Sequence, residues 1–242
     1  MRVSIVVLCA ALTSGCAQMQ TVMPWLNTGA QTASQMGYGD QAQVASAIKQ
    51  ALELGSERAT ASLSAAGGYS QSGYHIGLPD AAKPVVDTLR KVGMGSYVDK
   101  AEAAMNTAAE QAAGESLPVF KDAIKGMGVK DALGIVTGPD TAATDYFRGQ
   151  TEQSLRAKFA PIVQENLKKT GFYDQYQTML SVYDKLPFTD KPNLNAEDYV
   201  IDLSLSALYD RMGKEESLIR QDPVGRGTAL IGAIFAGGNK SQ

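Results

Sequence analysis

The stretch AEAAMNTAAEQAA, residues 101–113, carries the cleanest periodicity in this chain of 242 residues. Its small and apolar residues recur at the spacing of one face of an α-helix: Ala101, Ala104, Met105, Ala108, Ala109 and Ala112. Because most of these side chains are alanines, we expect a neighbouring helix to approach this face closely. The stretch therefore predicts a buried, tightly packed helix.

Helical spacing continues on both sides of this stretch, and no alternating strand pattern runs for more than four residues. We expect helices from Asp40 toward Leu63, from Pro79 to Gly93, over 119–127, 130–136, 141–148, 152–169 and 172–183, from about Asn195 past Met212, and over 229–238. Pro161 should kink or divide the helix over 152–169. The prediction is an all-α fold: a single domain of about eight to ten helices over residues 40–238, with a short tail at 239–242.

Composition excludes several classes of function. Apolar residues make up 44% and charged residues 19% of the chain, as in an ordinary globular protein. The net charge is −3 without a basic run, so we do not expect nucleic-acid binding. One histidine and two cysteines cannot build a zinc site or a disulfide framework. We expect no cofactor and no metal, although a carboxylate-only metal site stays open.

The N-terminus MRVSIVVLCAALTSGCAQMQ has the features of an export signal: Arg2, an apolar run over 3–12 and small residues before Gly15-Cys16. It resembles the lipobox of bacterial lipoproteins, although Thr13 stands where that pattern usually has an aliphatic residue. The resemblance implies a signal peptide over 1–15, lipidation of Cys16 and a tether over 16–39. Ala17 favours the outer membrane, with the domain facing the periplasm. A plain secretory signal is the alternative.

A set of polar residues forms the candidate site: Asn106, Glu110, Asp131, Thr144, Tyr146, Arg148, Glu216 and Arg220. Asn106 and Glu110 share a helical stripe with Glu102, which is either a solvated face or the wall of a cleft. Glu216 and Arg220 have the spacing of an exposed helical ion pair with a structural role. His75 lies in a glycine-rich loop and is most simply solvated.

The segment TGPD, 137–140, predicts a corner between two helices. Thr137 could cap the following helix, with Asp140 three residues later. Alternatively, Gly138 ends the preceding helix in the left-handed conformation and Pro139 prevents its continuation. After the corner, Thr144 and Arg148 stand four residues apart on one helix face.

Several blocks resemble a known family: MNTAAEQA (105–112), FKDAIKGM (120–127), DALGIVTGPDTAATDYF (131–147) and EESLIRQDP (215–223). From about residue 44 to 237 the chain resembles the bacterial proteins catalogued as domain of unknown function 4197. Thr107 and Gly128 depart from residues common in that family, Arg and Thr respectively. The resemblance implies an exported, mostly helical protein and brings no activity.

Two functions follow as hypotheses. The first is a non-enzymatic envelope lipoprotein, attached to the membrane through its lipid, that binds an envelope protein or a small ligand. The alternative is a periplasmic enzyme with Glu110 as general base and Asn106, Tyr146 and Arg148 orienting the substrate; Glu110, Asn106 and Arg148 are its candidate catalytic residues. Convergence of Glu110, Asp131 and Arg148 in one packed site would favour the enzyme.

Overall fold

The computed structural model describes residues 40–186 and 195–238. The expectations for residues 1–39, for the loop between Pro187 and Pro192 and for the tail at 239–242 lie outside these ranges. The described residues form nine α-helices and one 3₁₀ turn, with no strand among them. The all-α prediction is confirmed.

Four long helices carry the fold: α1 (Gln41–Ser64), α3 (Gly95–Gly126), α5 (Ala142–Lys169) and α7 (Ala196–Gln221). The shorter elements are the 3₁₀ turn Asp80–Ala82, α2 (Lys83–Lys91), α4 (Ala132–Val136), α6 (Phe172–Tyr183), α8 (Pro223–Arg226) and α9 (Ala229–Gly238). Helix α1 packs beside α3 and α7, and α5 packs beside the same two helices on the other side. The long helices therefore form a four-helix bundle.

Two pairs of separately expected helices are continuous. The helices expected over 101–113 and 119–127 form the single helix α3, which contains Pro118. Those expected over 141–148 and 152–169 form α5, which Pro161 does not divide. Burial of an apolar stripe along the whole length of each helix outweighs the weak helix propensity of Gly114 and Gly149, about 1 kcal/mol each.

Local chemistry explains where several helices begin and end. Asp40 caps α1 by accepting the amide of Ala42 at 2.8 Å, and Asn195 caps α7 by accepting the amide of Asp198. Gly93 and Gly171 have φ angles of 77° and 70°, the left-handed conformation that glycine adopts without strain at a helix end.

The core is one cluster of buried apolar residues drawn from all four long helices. The alanine stripe of α3 is part of it, and five of its six predicted members are fully buried. Phe120 of α3, Phe147 of α5 and Tyr209 of α7 form an aromatic triangle with ring centroids about 6 Å apart. The apolar helix α9 docks through Ile231, as expected for the chain end. No described helix is long and apolar enough to span a bilayer.

Candidate functional site

Glu216 lies on the buried side of α7 and binds the beginning of α5. Its side chain is 3% exposed. One carboxylate oxygen accepts the amide of Ala143 at 2.9 Å, and the other accepts the amide of Thr144 at 2.7 Å. First-turn amides of a helix have no partner within the helix and favour negative charge. Glu216 therefore acts as the cap of α5, from a position 73 residues further along the chain.

Arg220, one turn later on α7, binds both Glu216 and the end of α4. Its Nε and Nη2 donate to Glu216 Oε1 at 3.0 and 2.7 Å. Nη1 and Nη2 also donate to the carbonyls of Val136 and Ile135, at 2.8 and 2.9 Å. The guanidinium packs 5.0 Å from the ring centre of Phe235 in α9. The expectation of an exposed pair is wrong, because α4, α5 and α9 cover it.

The corner at 137–140 is held differently from both predictions. Thr137 donates its hydroxyl back to the carbonyl of Leu133 instead of capping α5. Gly138 is not among the glycines with positive φ in the described residues. A Cβ at Gly138 would lie 2.6 Å from the carbonyl oxygen of Gly134, so close approach of the backbone requires glycine here. Glu216 and Arg220 supply the capping that we expected from the corner itself.

The polar stripe of α3 binds the glycine-rich loop over 65–79 and is neither a solvated face nor a cleft wall. Glu110 accepts the amides of Tyr69 and Ser70, both at 3.1 Å. Asn106 is fully buried, and its side-chain amide brackets Ile76: Oδ1 accepts the Ile76 amide at 2.9 Å and Nδ2 donates to its carbonyl at 2.8 Å. Buried loop backbone needs such partners.

The stripe has a third member at the far end of the loop. Glu102 accepts the amide of Leu78 at 3.1 Å. Its carboxylate also lies 3.9 Å from Arg90. His75 is exposed at the middle of the loop, as expected. The whole stripe therefore serves to hold the loop against α3.

The remaining predicted residues have separate partners. Asp131 caps α4 through the amide of Gly134 at 2.9 Å. Tyr146 donates its hydroxyl to the carbonyl of Gly128 at 2.9 Å. Arg148 pairs with Glu152 at 2.8 Å, and its guanidinium lies 5.3 Å from the ring centre of Tyr209. No contact described for Glu110, Asp131 or Arg148 joins one of them to another.

A cleft of about 520 Å³ lies between α5 and α7, directly beside the corner. Its α5 side consists of Asp140, Thr141, Thr144, Asp145 and Arg148, and its α7 side of Ser206, Tyr209, Asp210, Gly213, Lys214 and Ser217. Two predicted residues, Thr144 and Arg148, thus share one cavity. Its size is within the range of small-molecule sites, about 300–1,000 Å³. The described residues contain no group of three or more potential metal ligands.

Thr144 lines the cleft and has a buried hydroxyl without a protein partner. The residue is 3% exposed, and its Oγ1 has no hydrogen-bond partner among the described residues. Three other helical threonines, Thr60, Thr151 and Thr178, donate their hydroxyls to a carbonyl four residues earlier. A buried hydroxyl without a partner is uncommon in native proteins, and Ser204 on α7 has a second one among the described residues.

Ionisable groups on the α7 side of the cleft are held in their ordinary charge states. Burial raises the pKa of Tyr209 to about 12. A hydrogen bond from Lys214, followed by one from Tyr74, lowers the pKa of Asp210. The same contact with Asp210 raises the pKa of Lys214. At neutral pH, Tyr209 is therefore neutral, Asp210 is ionised and Lys214 is protonated.

Sequence reasoning missed the α7 side of the cleft. Its residues stand at 206, 210, 213, 214 and 217, a helical spacing of three and four that could have revealed a polar stripe. The same helix also carries the apolar stripe of Leu205, Leu208 and Met212, which indicates only its core face.

A family model described as "Protein of unknown function (DUF4197)" matches residues 39–236. The chain belongs to the DUF4197 family. No curated protein and no solved structure matches it. Two of the blocks that carried the DUF4197 resemblance, 131–147 and 215–223, meet at the contacts that Glu216 and Arg220 make with the corner.

Proposed function

We propose that this DUF4197 protein is a lipid-anchored protein of the bacterial envelope whose helical domain binds a small polar ligand in the cleft between α5 and α7. The observation that carries the binding role is the cleft itself, a cavity of about 520 Å³ lined by polar and charged residues of α5 and α7. The corner beside the cleft is braced by buried contacts of Glu216, which gives the site a rigid wall.

Electrostatics favours binding over proton transfer in this cleft. A general acid or base works best when its pKa lies near the operating pH. The pKa values of Tyr209, Asp210 and Lys214 are all shifted further away from pH 7. The carboxylate of Glu110, the base of the alternative enzyme hypothesis, is engaged with the backbone of the loop at Tyr69 and Ser70.

The anchor rests on the sequence alone. Gly15-Cys16 follows an apolar run of signal-peptide length, and Ala17 favours sorting to the outer membrane. Acylation by two or three chains holds a protein on a membrane stably. Labelled palmitate should enter the wild-type protein and not the Cys16→Ser variant. Label retained in that variant, or absent from the wild type, would contradict the lipid anchor.

The binding role is tested by native mass spectrometry of the wild-type protein extracted from envelopes in detergent. We expect a non-covalent small molecule to travel with the intact chain and to leave at higher collision energy. A protein that carries no molecule from the envelope, and takes up none from a small-molecule extract of it, would contradict the proposal.

A further inference from the structure

Two residues that line the cleft, Asp210 and Lys214, also contact the glycine-rich loop over 65–79. The hydroxyl of Tyr74 in this loop donates to Asp210 Oδ2 at 2.6 Å and accepts a hydrogen bond from Lys214 Nζ at 2.9 Å. The same ammonium pairs with Asp210 Oδ2 at 2.8 Å and lies 4.9 Å from the centre of the Tyr74 ring. The three side chains therefore form one hydrogen-bonded triangle between the loop and the cleft.

The glycine-rich loop is fixed to α3 on both sides of its tip, residues 71–75. Glu110 accepts the amides of residues 69 and 70, and Asn106 binds both backbone groups of Ile76. Within 40–186 and 195–238, the only hydrogen bonds that join the tip to another element are those of the Tyr74 hydroxyl. Tyr74 is therefore the link between the tip and α7.

The triangle leaves part of the binding capacity of Asp210 and Lys214 free. An ammonium group has three donors, and Lys214 uses one on Tyr74 and one on Asp210. Both contacts of Asp210 are made by Oδ2, and no hydrogen bond described for residues 40–186 and 195–238 reaches its Oδ1. Because both residues line the cleft, one donor and one acceptor are available to a polar molecule there.

Tyr74 holds these groups before any molecule binds. The side chain of an exposed lysine loses conformational entropy when a bound molecule immobilises it. The hydrogen bond and the ring of Tyr74 already restrain the Lys214 ammonium, so less entropy is lost on binding. Burial, followed by the hydrogen bond to Asp210, raises the pKa of Tyr74, so the hydroxyl stays protonated at neutral pH.

We infer that Tyr74 is a positioning residue for the cleft: it holds the Lys214 ammonium and the Asp210 carboxylate for a polar molecule, and it couples the tip of the loop to occupancy of the cleft. This role rests on the ligand-binding function proposed above. Coupling is reciprocal, so a molecule bound to the triangle should also make the tip more rigid. The competing explanation is that Tyr74 only fastens the loop to α7.

The variant Tyr74→Phe tests this role, because it removes the hydroxyl and keeps the ring. The probe is the small-molecule extract of the envelope, titrated into full-length protein that has been washed free of bound molecules in detergent and followed by native mass spectrometry. Tyr74→Phe should need at least about fivefold more extract than the wild type for half-saturation, the lower end of typical coupling between sites. Tyr173→Phe is the matched control, since it removes a hydroxyl that donates to an exposed carboxylate, Glu197, at 2.8 Å.

Hydrogen exchange supplies a readout that simple fastening of the loop would not give. The amides of Tyr74 and His75 bond within the loop, to Ser72. In the wild type and in Tyr173→Phe, both amides should exchange more slowly once the extract is bound. In Tyr74→Phe, the bound extract should leave their exchange unchanged.

Failure of this role can be distinguished from failure of the proposed function. If Tyr74→Phe and the wild type reach half-saturation with the same amount of extract, or if bound extract does not slow exchange at the tip of the wild type, the positioning role is wrong and the binding function stands. An equal loss of uptake in Tyr74→Phe and Tyr173→Phe also overturns the positioning role. If the wild type takes up no molecule at all, both fail.

Discussion

Glu216 and Arg220 lie one turn apart on α7, and together they hold the two helices that meet at the corner over 137–140. Glu216 accepts the first amides of α5, whereas Arg220 donates to the last carbonyls of α4. The carboxylate and the guanidinium also bond to each other at 2.7 Å. One buried pair therefore fixes the wall of the cleft that contains Thr144.

Glu216→Gln should destabilise the protein by about 3 kcal/mol, because it leaves Arg220 buried without its counter-charge. Urea unfolding followed by circular dichroism measures the change. Glu152→Gln removes the partner of Arg148 from an exposed pair and should cost about 0.5 kcal/mol or less. Equal losses of unfolding free energy in the two variants would mean that the buried pair stabilises the fold no more than the exposed pair does.

Asn106→Ala should destabilise the protein by about 2–3 kcal/mol, because the amide and carbonyl of Ile76 lose their partner. Hydrogen exchange of the amides over 65–79 should become faster, most of all at Ile76. Thr107→Ala changes the next residue of α3, which is exposed, and should leave both measurements unaltered. Unchanged exchange at Ile76 in Asn106→Ala would show that the loop is held by other contacts.

Gly138→Ala should destabilise the protein by about 1–3 kcal/mol, since the new methyl group would meet the carbonyl of Gly134 and the side chain of Ala142. Gly149→Ala is the control: a Cβ there meets no atom within 4 Å, and alanine favours the helix by about 1 kcal/mol. Thermal denaturation should therefore shift in opposite directions for the two variants. A Gly138→Ala protein as stable as the wild type would contradict the close approach at the corner.

Asp210→Asn should make the free energy of unfolding less dependent on pH between neutral and acidic conditions. Lys214 and Tyr74 lower the pKa of Asp210 below its ordinary value of 3.8, so the unfolded chain binds this proton first as the pH falls. The carboxylate thus stabilises the fold above that ordinary value and loses its effect as the pH drops through the folded pKa. For this exposed pair we expect a difference from wild type of about 0.5 kcal/mol at pH 7.

The measurement is urea unfolding from pH 7 down to about pH 3, where the difference between wild type and Asp210→Asn should shrink toward zero. A difference between wild type and Asp210→Asn that grows as the pH falls would contradict the sign of the pKa shift.

The helices could be predicted because their buried stripes are local patterns. The alanines over 101–113 and the spacing of Leu205, Leu208 and Met212 identify core faces without any knowledge of the partner helix. Helix ends are predicted less well. The low helix propensity of Gly149 predicts a break there, whereas packing on both sides keeps α5 continuous.

The site could be predicted only in part, because its contacts join residues far apart in the chain. The spacing of Glu216 and Arg220 indicates an ion pair, but their burial depends on α4, α5 and α9. The spacing of Asn106 and Glu110 predicts one helical stripe, yet nothing in the sequence of α3 indicates which loop they bind. The cleft needs α5 and α7 side by side, which no local pattern specifies.

The most direct test of ligand binding compares native mass spectra of three proteins extracted from envelopes: the wild type, Ser206→Phe and Ser181→Phe. Ser206 lines the cleft, so the phenyl ring should project into it and obstruct ligand binding, whereas Ser181 lies on the exposed face of α6. We predict a bound small molecule in the wild type and in Ser181→Phe, and its loss from Ser206→Phe with the fold intact by circular dichroism. The same bound mass in all three proteins, or in none, would contradict ligand binding in this cleft.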